Sequence, residues 1–296
     1  MKHILAYGEI IWDVYPGQRV LGGAPLNFAA HIVRCGGSCE LLSAVGDDKL
    51  GYEAMTQIES LGMSDRYIQT NGHPTGQCCV SINDRGVPSY HIVEDVSYDY
   101  IDFSGQIRED ICDFDILYFG TLSQRSERSR KTLRALIAES RFSQIVCDVN
   151  LRPNCYDRES ILLCLENATI LKVSAEEEPV LRNFAQYAPK DESPGEIAKA
   201  ICEKYSNIQI CLITMGGDGS YGYERASGIG YSQPAKGDNV VSTVGAGDSY
   251  LAAFVVGTLN DLPMADRMDM AAHVSGFVVG CVEAIPRYTI SELYKK

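Results

Sequence analysis

The sequence predicts an α/β fold in which a parallel β-sheet is covered by helices, with a small β flap set apart from it. Two observations carry the prediction. Short runs rich in β-branched and other apolar residues alternate with stretches of helical period over most of the 296 residues, the pattern of successive βα units. One segment breaks that alternation: two strand-like runs around an Asp-x-Gly turn, which read as a hairpin.

Taken in order, a first strand is predicted at residues 3–8. A helix follows at 26–35, entered through Gly22-Gly23-Ala24-Pro25, where proline suits the first helical turn. Strand 40–45 leads into helix 50–61. The hairpin comes next, with runs 75–83 and 87–93 around Asp84-Arg85-Gly86. Inserted between βα units, it can join a parallel sheet only at an edge. It is therefore expected to form a flap with residues 12–20, a cover that keeps water from a cleft; an edge hairpin of the main sheet is the alternative. Strands at 116–119, 145–149, 170–173 and 210–215 then alternate with helices at 126–140, 175–184 and 194–205. Cys78 and Cys79 are neighbours inside a strand, so their side chains are expected on opposite faces.

Composition narrows the class. A 45% hydrophobic, 22% charged chain of this length fits one large globular α/β domain. The eleven cysteines are scattered, with no CxxC pair and no zinc-like spacing, as reduced thiols of a reducing compartment would be. The run Met1 to Glu9 is too short and too soon acidic for a signal peptide. The apolar stretch 250–259 is only half a membrane span. A cytoplasmic protein without membrane association is expected. The net charge of −13 argues against nucleic acid and anionic membranes as partners. It leaves ATP open, because phosphates need only local donors.

Five segments could carry chemistry. In Val244-Gly245-Ala246-Gly247-Asp248, small residues let backbone amides converge at the start of an apolar helix, a good receptor for anionic oxygens. Asp248 reads either as a helix cap or as a base for a hydroxyl proton. In Leu21-Gly22-Gly23-Ala24-Pro25-Leu26-Asn27, the glycines allow close approach of a ligand or simply make a turn, while Asn27 and nearby Asp13 suit sugar hydroxyls. Asp148-Val149-Asn150-Leu151-Arg152 and Lys172-Val173-Ser174-Ala175-Glu176-Glu177 end strands, where ligands of such sheets bind. Ser174 and Glu177 have capping-box spacing, and the same residues could serve Mg²⁺ waters and phosphate. Thr214-Met215-Gly216-Gly217-Asp218-Gly219 could carry a nucleotide on its backbone or turn a hairpin. The five histidines have no metal spacing, and neither a Walker loop nor GxGxxG after the first strand is present.

Together these segments resemble the ribokinase/PfkB carbohydrate kinases, the fructokinase-like members in particular. The resemblance runs in the family's order over nearly the whole chain. It also takes in Gly8-Glu9-Ile10-Ile11-Trp12-Asp13, Val45-Gly46-Asp47-Asp48-Lys49-Leu50-Gly51 and His73-Pro74-Thr75-Gly76-Gln77. It implies a ribokinase-like three-layer αβα, Rossmann-like domain spanning 1–296, with a lid from about 12–20 and 75–98. The implied activity is ATP-dependent phosphorylation of a sugar primary hydroxyl, most simply fructose to fructose 6-phosphate. Kinases for ribose, 2-keto-3-deoxygluconate, tagatose or a nucleoside, and a non-catalytic sugar sensor, are the alternatives. Carried over by residue, Asp248 is the base and the amides of Gly245, Ala246 and Gly247 form the anion hole. Asp13, Gly22, Gly23 and Asn27 contact the sugar, and Arg152, a further substrate-binding residue, lies near the sugar or the transferred phosphate. Lys172, Ser174, Thr214, Gly216 and Gly219 serve the nucleotide, and Glu177 serves Mg²⁺ through water. Two departures stand out. Ser174 occupies the place of the family's asparagine in NxxE. The stretches that bind K⁺ in many members read Ser242-Thr243-Val244 and Glu283-Ala284-Ile285-Pro286, which puts K⁺ in doubt, with Glu283 the candidate replacement carboxylate. ATP and sugar are the expected partners, and a homodimer through the lid is consistent with the family.

Overall fold

The computed structural model describes residues 2–82, 88–237 and 239–293. The turn Asp84-Arg85-Gly86 lies outside them. In chain order the strands are β1 (Ile4–Tyr7), β2 (Ile11–Tyr15), β3 (Gln18–Gly22), β4 (Cys39–Gly46), β5 (Ile68–Asn71), β6 (Gly76–Ile82) and β7 (Pro88–Ile92). They continue as β8 (Ile116–Phe119), β9 (Gln144–Asp148), β10 (Ile170–Ser174), β11 (Ile210–Thr214), β12 (Ser220–Glu224) and β13 (Ile229–Gln233). The helices are α1 (Ala24–Arg34), α2 (Lys49–Ser60), α3 (Gln106–Asp110), α4 (Glu127–Glu139) and α5 (Arg158–Asn167), then α6 (Glu178–Ala185), α7 (Pro194–Lys204), α8 (Ala246–Leu259), α9 (Met264–Val279) and α10 (Ile290–Leu293).

Nine strands form one sheet in the order β13-β12-β11-β10-β9-β8-β1-β4-β5. From β11 to β5 every pairing is parallel. The central strands are buried on both faces, which is why they read as continuous apolar runs. Along β1, Ile4 and Ala6 face one core while Leu5 and Tyr7 face the other; β8 divides Ile116 and Tyr118 from Leu117 and Phe119 in the same way. Helices α1, α2, α8 and α9 cover the first face and α3 to α7 the second. Strand order reverses at β1, with β4 on one side and β8 on the other. Such a switch point opens a crevice at the carboxyl ends of the strands.

The hairpin of β6 and β7 joins β2 and β3 in a separate four-stranded sheet, order β3-β2-β6-β7, and not the edge of the main one. This small sheet is the lid. Trp12, almost fully buried, ties it to α2 by donating its indole N–H to Leu50 O at 3.1 Å. Cys78 is buried and Cys79 exposed, as their alternation requires, and all eleven cysteines are free thiols.

Three features differ from the sequence reading. The main sheet is mixed, because the glycine run after β11 turns the chain back into antiparallel β12 and then β13. Strand β5 and helices α3, α5, α9 and α10 had no counterpart in it. The helix expected from residue 175 starts at Glu178, because residues 175–177 form a turn. Among the described residues, no helix is long and apolar enough to cross a membrane.

Candidate active site

Helix α8 is buried along 248–257 between α1, α9 and the sheet, and this all-round burial explains its unbroken apolar sequence. Its first turn carries the Gly-Ala-Gly-Asp run. Gly245 takes φ 79 as the residue before the helix, and a Cβ there would stand 2.8 Å from the Ala284 oxygen, so only glycine fits. The amides of Gly247 and Asp248 have no protein acceptor among the described residues, whereas that of Ala246 is directed at Thr243 O at 3.3 Å. Asp248 is buried and accepts from Asn27 Nδ2 at 2.8 Å. Burial raises its carboxyl above the ordinary aspartate range, opposed by the Asn27 hydrogen bond and by the charges of Lys172 and Arg152.

On one side of this turn lies a cavity of about 610 Å³. It is lined by Lys172, Ser174, Glu177, Thr214, Gly216, Gly219, Ala246 and Gly247, so every residue expected to serve the nucleotide meets there. Lys172 and Asp148 are register partners on β10 and β9. The ammonium sits 2.8 and 2.9 Å from the two Asp148 oxygens, both residues being buried. It lies so close to α8 that a Cβ on Gly247 would be 3.0 Å from it. Burial pushes Asp148 up to about 6, against the pull of Lys172. Glu177 is a structural clamp: its oxygens accept from Leu151 N at 2.7 Å and Ser174 N at 2.8 Å, while Glu177 N donates to Ser174 Oγ at 3.2 Å. The reciprocal capping pattern is thus present, and the carboxylate still reaches the cavity wall. The Thr214–Gly219 run is likewise both a hairpin turn and a cavity wall.

The five residues expected to meet the sugar do not line this cavity. Of them, Asn27 holds Asp248 and Arg152 acts on it through its charge. Gly22 is the last residue of β3, and a Cβ on it would be 3.5 Å from Asp13 Oδ2. Gly23 packs against Glu9 O, with no room for a Cβ, and opens α1, which carries Asn27. Arg152 is exposed; burial raises the carboxyls of Glu9, Asp13 and Asp248, and the Arg152 charge opposes that rise.

Several residues at the site were not singled out from sequence. Glu9, 4% exposed, accepts from Ala24 N at 3.1 Å and is pushed up to about 7, chiefly by burial. Tyr250 lines the cavity and shares a 2.8 Å hydrogen bond with Ser220. The wall opposite the β11 turn comes from Lys236 to Gly237 and from Ala272, Ser275 and Gly276 of α9. Gly276 and Gly237 touch backbone to backbone, and an isolated glycine in a helix was the available signal for that approach. Glu283, the candidate carboxylate beside the helix start, is exposed.

Among the described residues, no group of three or more His, Cys, Asp or Glu is arranged to hold a metal ion. Asp148 is engaged by Lys172, and Glu177 by two amides. With both carboxylates engaged, the residues present fit an Mg²⁺ that would arrive on nucleotide phosphates and keep much of its water.

A crevice at a switch point, with free helix amides and a buried carboxylate at the start of the same helix beside a cavity, is the arrangement of small-molecule phosphotransferases built on an open α/β sheet. Within it the chain belongs to the pfkB family of carbohydrate kinases, whose family model matches residues 2–289. A 5-dehydro-2-deoxygluconokinase of Geobacillus kaustophilus is 27% identical over 286 residues, covering 90% of this chain and 82% of its own. A chloroplastic protein of Arabidopsis thaliana named probable fructokinase-6 is 25% identical over 305 residues, covering 94% and 76%. The crystal structure of a fructokinase with bound ATP from Xylella fastidiosa shares the fold, with TM-score 0.82 at 19% identity over 98% of this chain and 96% of that one. The chain is an ATP-dependent carbohydrate kinase that phosphorylates a sugar hydroxyl.

Proposed function

We propose that the acceptor is fructose and that the γ-phosphoryl group of ATP passes in line to its O6 hydroxyl. The observation that carries this reading is the position of Asp248, buried next in sequence to the cavity-lining Gly247 and held by Asn27 at 2.8 Å. A carboxyl raised by burial is a stronger proton acceptor than an ordinary aspartate. Asp248 takes the hydroxyl proton, while the amides of Gly247 and Asp248 stabilise charge on the transferring group. Gly245 sets their direction. Gly22, Gly23, Asp13, Asn27 and Arg152 orient the sugar. Lys172, held by Asp148 beside Gly247, places positive charge next to the phosphates; Ser174, Thr214, Gly216 and Gly219 form the nucleotide wall. Mg²⁺ bound to the nucleotide would neutralise phosphate charge, with Glu177 holding its water. K⁺ is not part of the proposal, since the Ser242-Thr243-Val244 stretch has no acidic residue and Glu283 is exposed. Pairing of two chains through the lid sheet remains part of this reading, and sedimentation tests it.

A sugar acid is the second reading, favoured by the exposed Arg152 beside Asp13 and by the 5-dehydro-2-deoxygluconokinase likeness. ADP release measured over fructose, tagatose, ribose, 2-keto-3-deoxygluconate, 5-dehydro-2-deoxygluconate and adenosine, with and without K⁺, separates the two. The highest kcat/KM is expected for fructose. A sugar acid ahead of it by tenfold or more would overturn the choice of acceptor, and tight sugar binding with no ADP would overturn catalysis.

A further inference from the structure

His31 lies on α1 and is fully buried. Its Nε2 is 2.9 Å from Ala284 O, and its Nδ1 is 2.7 Å from the Tyr288 hydroxyl. A carbonyl only accepts, so Nε2 carries the ring proton, and Nδ1 accepts from Tyr288. Burial lowers the imidazole to about 4, which keeps that neutral form at physiological pH. The Tyr288 hydroxyl in turn lies 3.7 Å from Cys35 Sγ. The ring thus pins the 284–288 segment to α1.

Ala284 is not a remote anchor. It packs so closely on Gly245 that a Cβ there would meet both its oxygen, at 2.8 Å, and its own Cβ, at 3.1 Å. Gly245 immediately precedes α8, whose Gly247 and Asp248 amides are free. His31 follows Asn27 by four residues, so the two share one face of α1. Asn27 holds Asp248 directly, and His31 holds Gly245 through Ala284. One face of one helix therefore restrains the start of α8 from two directions.

We infer that His31 is a positioning residue for phosphoryl transfer, fixing the Ala284 peptide against Gly245 and so the aim of the Gly247 and Asp248 amides. The inference rests on the proposed role of those amides. A histidine that only ties a C-terminal segment to the core would add stability and leave turnover alone. A residue that aims transition-state donors acts on kcat, because ground-state contacts to sugar and ATP are made elsewhere.

The test compares His31→Phe, which keeps a ring and loses both hydrogen bonds, with His31→Gln, whose amide offers a donor and an acceptor. Kinetics are run well below each variant's melting temperature. His31→Phe is expected to lower kcat by about 10- to 100-fold, the scale of a donor displaced by about 1 Å. Both KM values should stay within about threefold, and His31→Gln should recover most of the loss. A folded His31→Phe protein with kcat within about twofold of the parent, however much its melting temperature falls, would overturn the inference. Should that variant not fold, Tyr288→Phe decides instead: a several-fold lower kcat supports the inference and an unchanged one overturns it. Asp248→Asn is measured alongside. Its loss of turnover with a normal His31→Phe removes only the role of His31, whereas an active Asp248→Asn removes the mechanism on which that role depends.

Discussion

Replacing Glu9 by Gln should flatten one part of the protein's pH–stability curve. Glu9 follows β1 at the switch point, 4% exposed, with Ala24 N donating to Oε1 at 3.1 Å. Burial is the main cause that raises its carboxyl from 4.5 to about 7; the Asp248 charge adds to the rise, and the backbone hydrogen bonds and Arg152 oppose it. The folded protein therefore keeps a proton that the unfolded chain releases at lower pH. The stability this contributes is fully present below pH 4.5 and is lost as pH rises through about 7. A change from 4.5 to about 7 corresponds to about 3 kcal/mol. Glutamine keeps an oxygen for Ala24 and cannot ionise. Urea unfolding of both proteins from pH 4.5 to 8 should show the parent losing about 3 kcal/mol relative to the variant. Asp13, Asp148 and Asp248 are also raised, but they are present in both chains and cancel in the difference. A difference that stays flat across that range would refute the reasoning.

Lys172→Met leaves Asp148 wholly buried without its partner and should cost about 3–5 kcal/mol in urea unfolding. Adding Asp148→Asn should restore most of that stability while turnover stays low, because the ammonium beside Gly247 is gone; equal recovery of both would contradict a phosphate role for Lys172. A Cβ at Gly276 would fall 2.3 Å from Lys236 O. Gly276→Ala should therefore push α9 and the Lys236–Gly237 segment apart within the far cavity wall and raise the KM for ATP by about tenfold, with the sugar KM unchanged. A larger change in the sugar KM would show that the wall serves the sugar instead.

What could be read from the sequence followed from burial. Strands such as Ile116–Phe119 are enclosed on both faces, so nothing polar interrupts them and the period needs no decoding. Antiparallel β12 was hidden because Gly222 sits mid-strand to make room for Met264 and Met268, and a glycine there weakens a strand pattern. Helix α9 was hidden for a related reason: its buried face includes Ala271, Ala272 and Gly276 beside the methionines, small residues that let backbones approach. The Gly-Ala-Gly-Asp run and the cavity-lining glycines were legible because their residue types are demanded by local backbone. Glu9 and His31 were not, since both act through distant partners, Ala24 and Asp248 for one, Ala284 and Tyr288 for the other. A lone buried histidine carries no local mark of what it holds.

The most direct test of the account is turnover of fructose by Asp248→Asn. Asparagine preserves the shape of the side chain and its proximity to Asn27 but cannot take the hydroxyl proton. Coupled ADP release at saturating sugar and ATP should fall by at least about 10²–10⁴, with the ATP KM within a few-fold of the parent. A correctly folded Asp248→Asn protein that turns fructose over at near the parent rate would contradict the central claim.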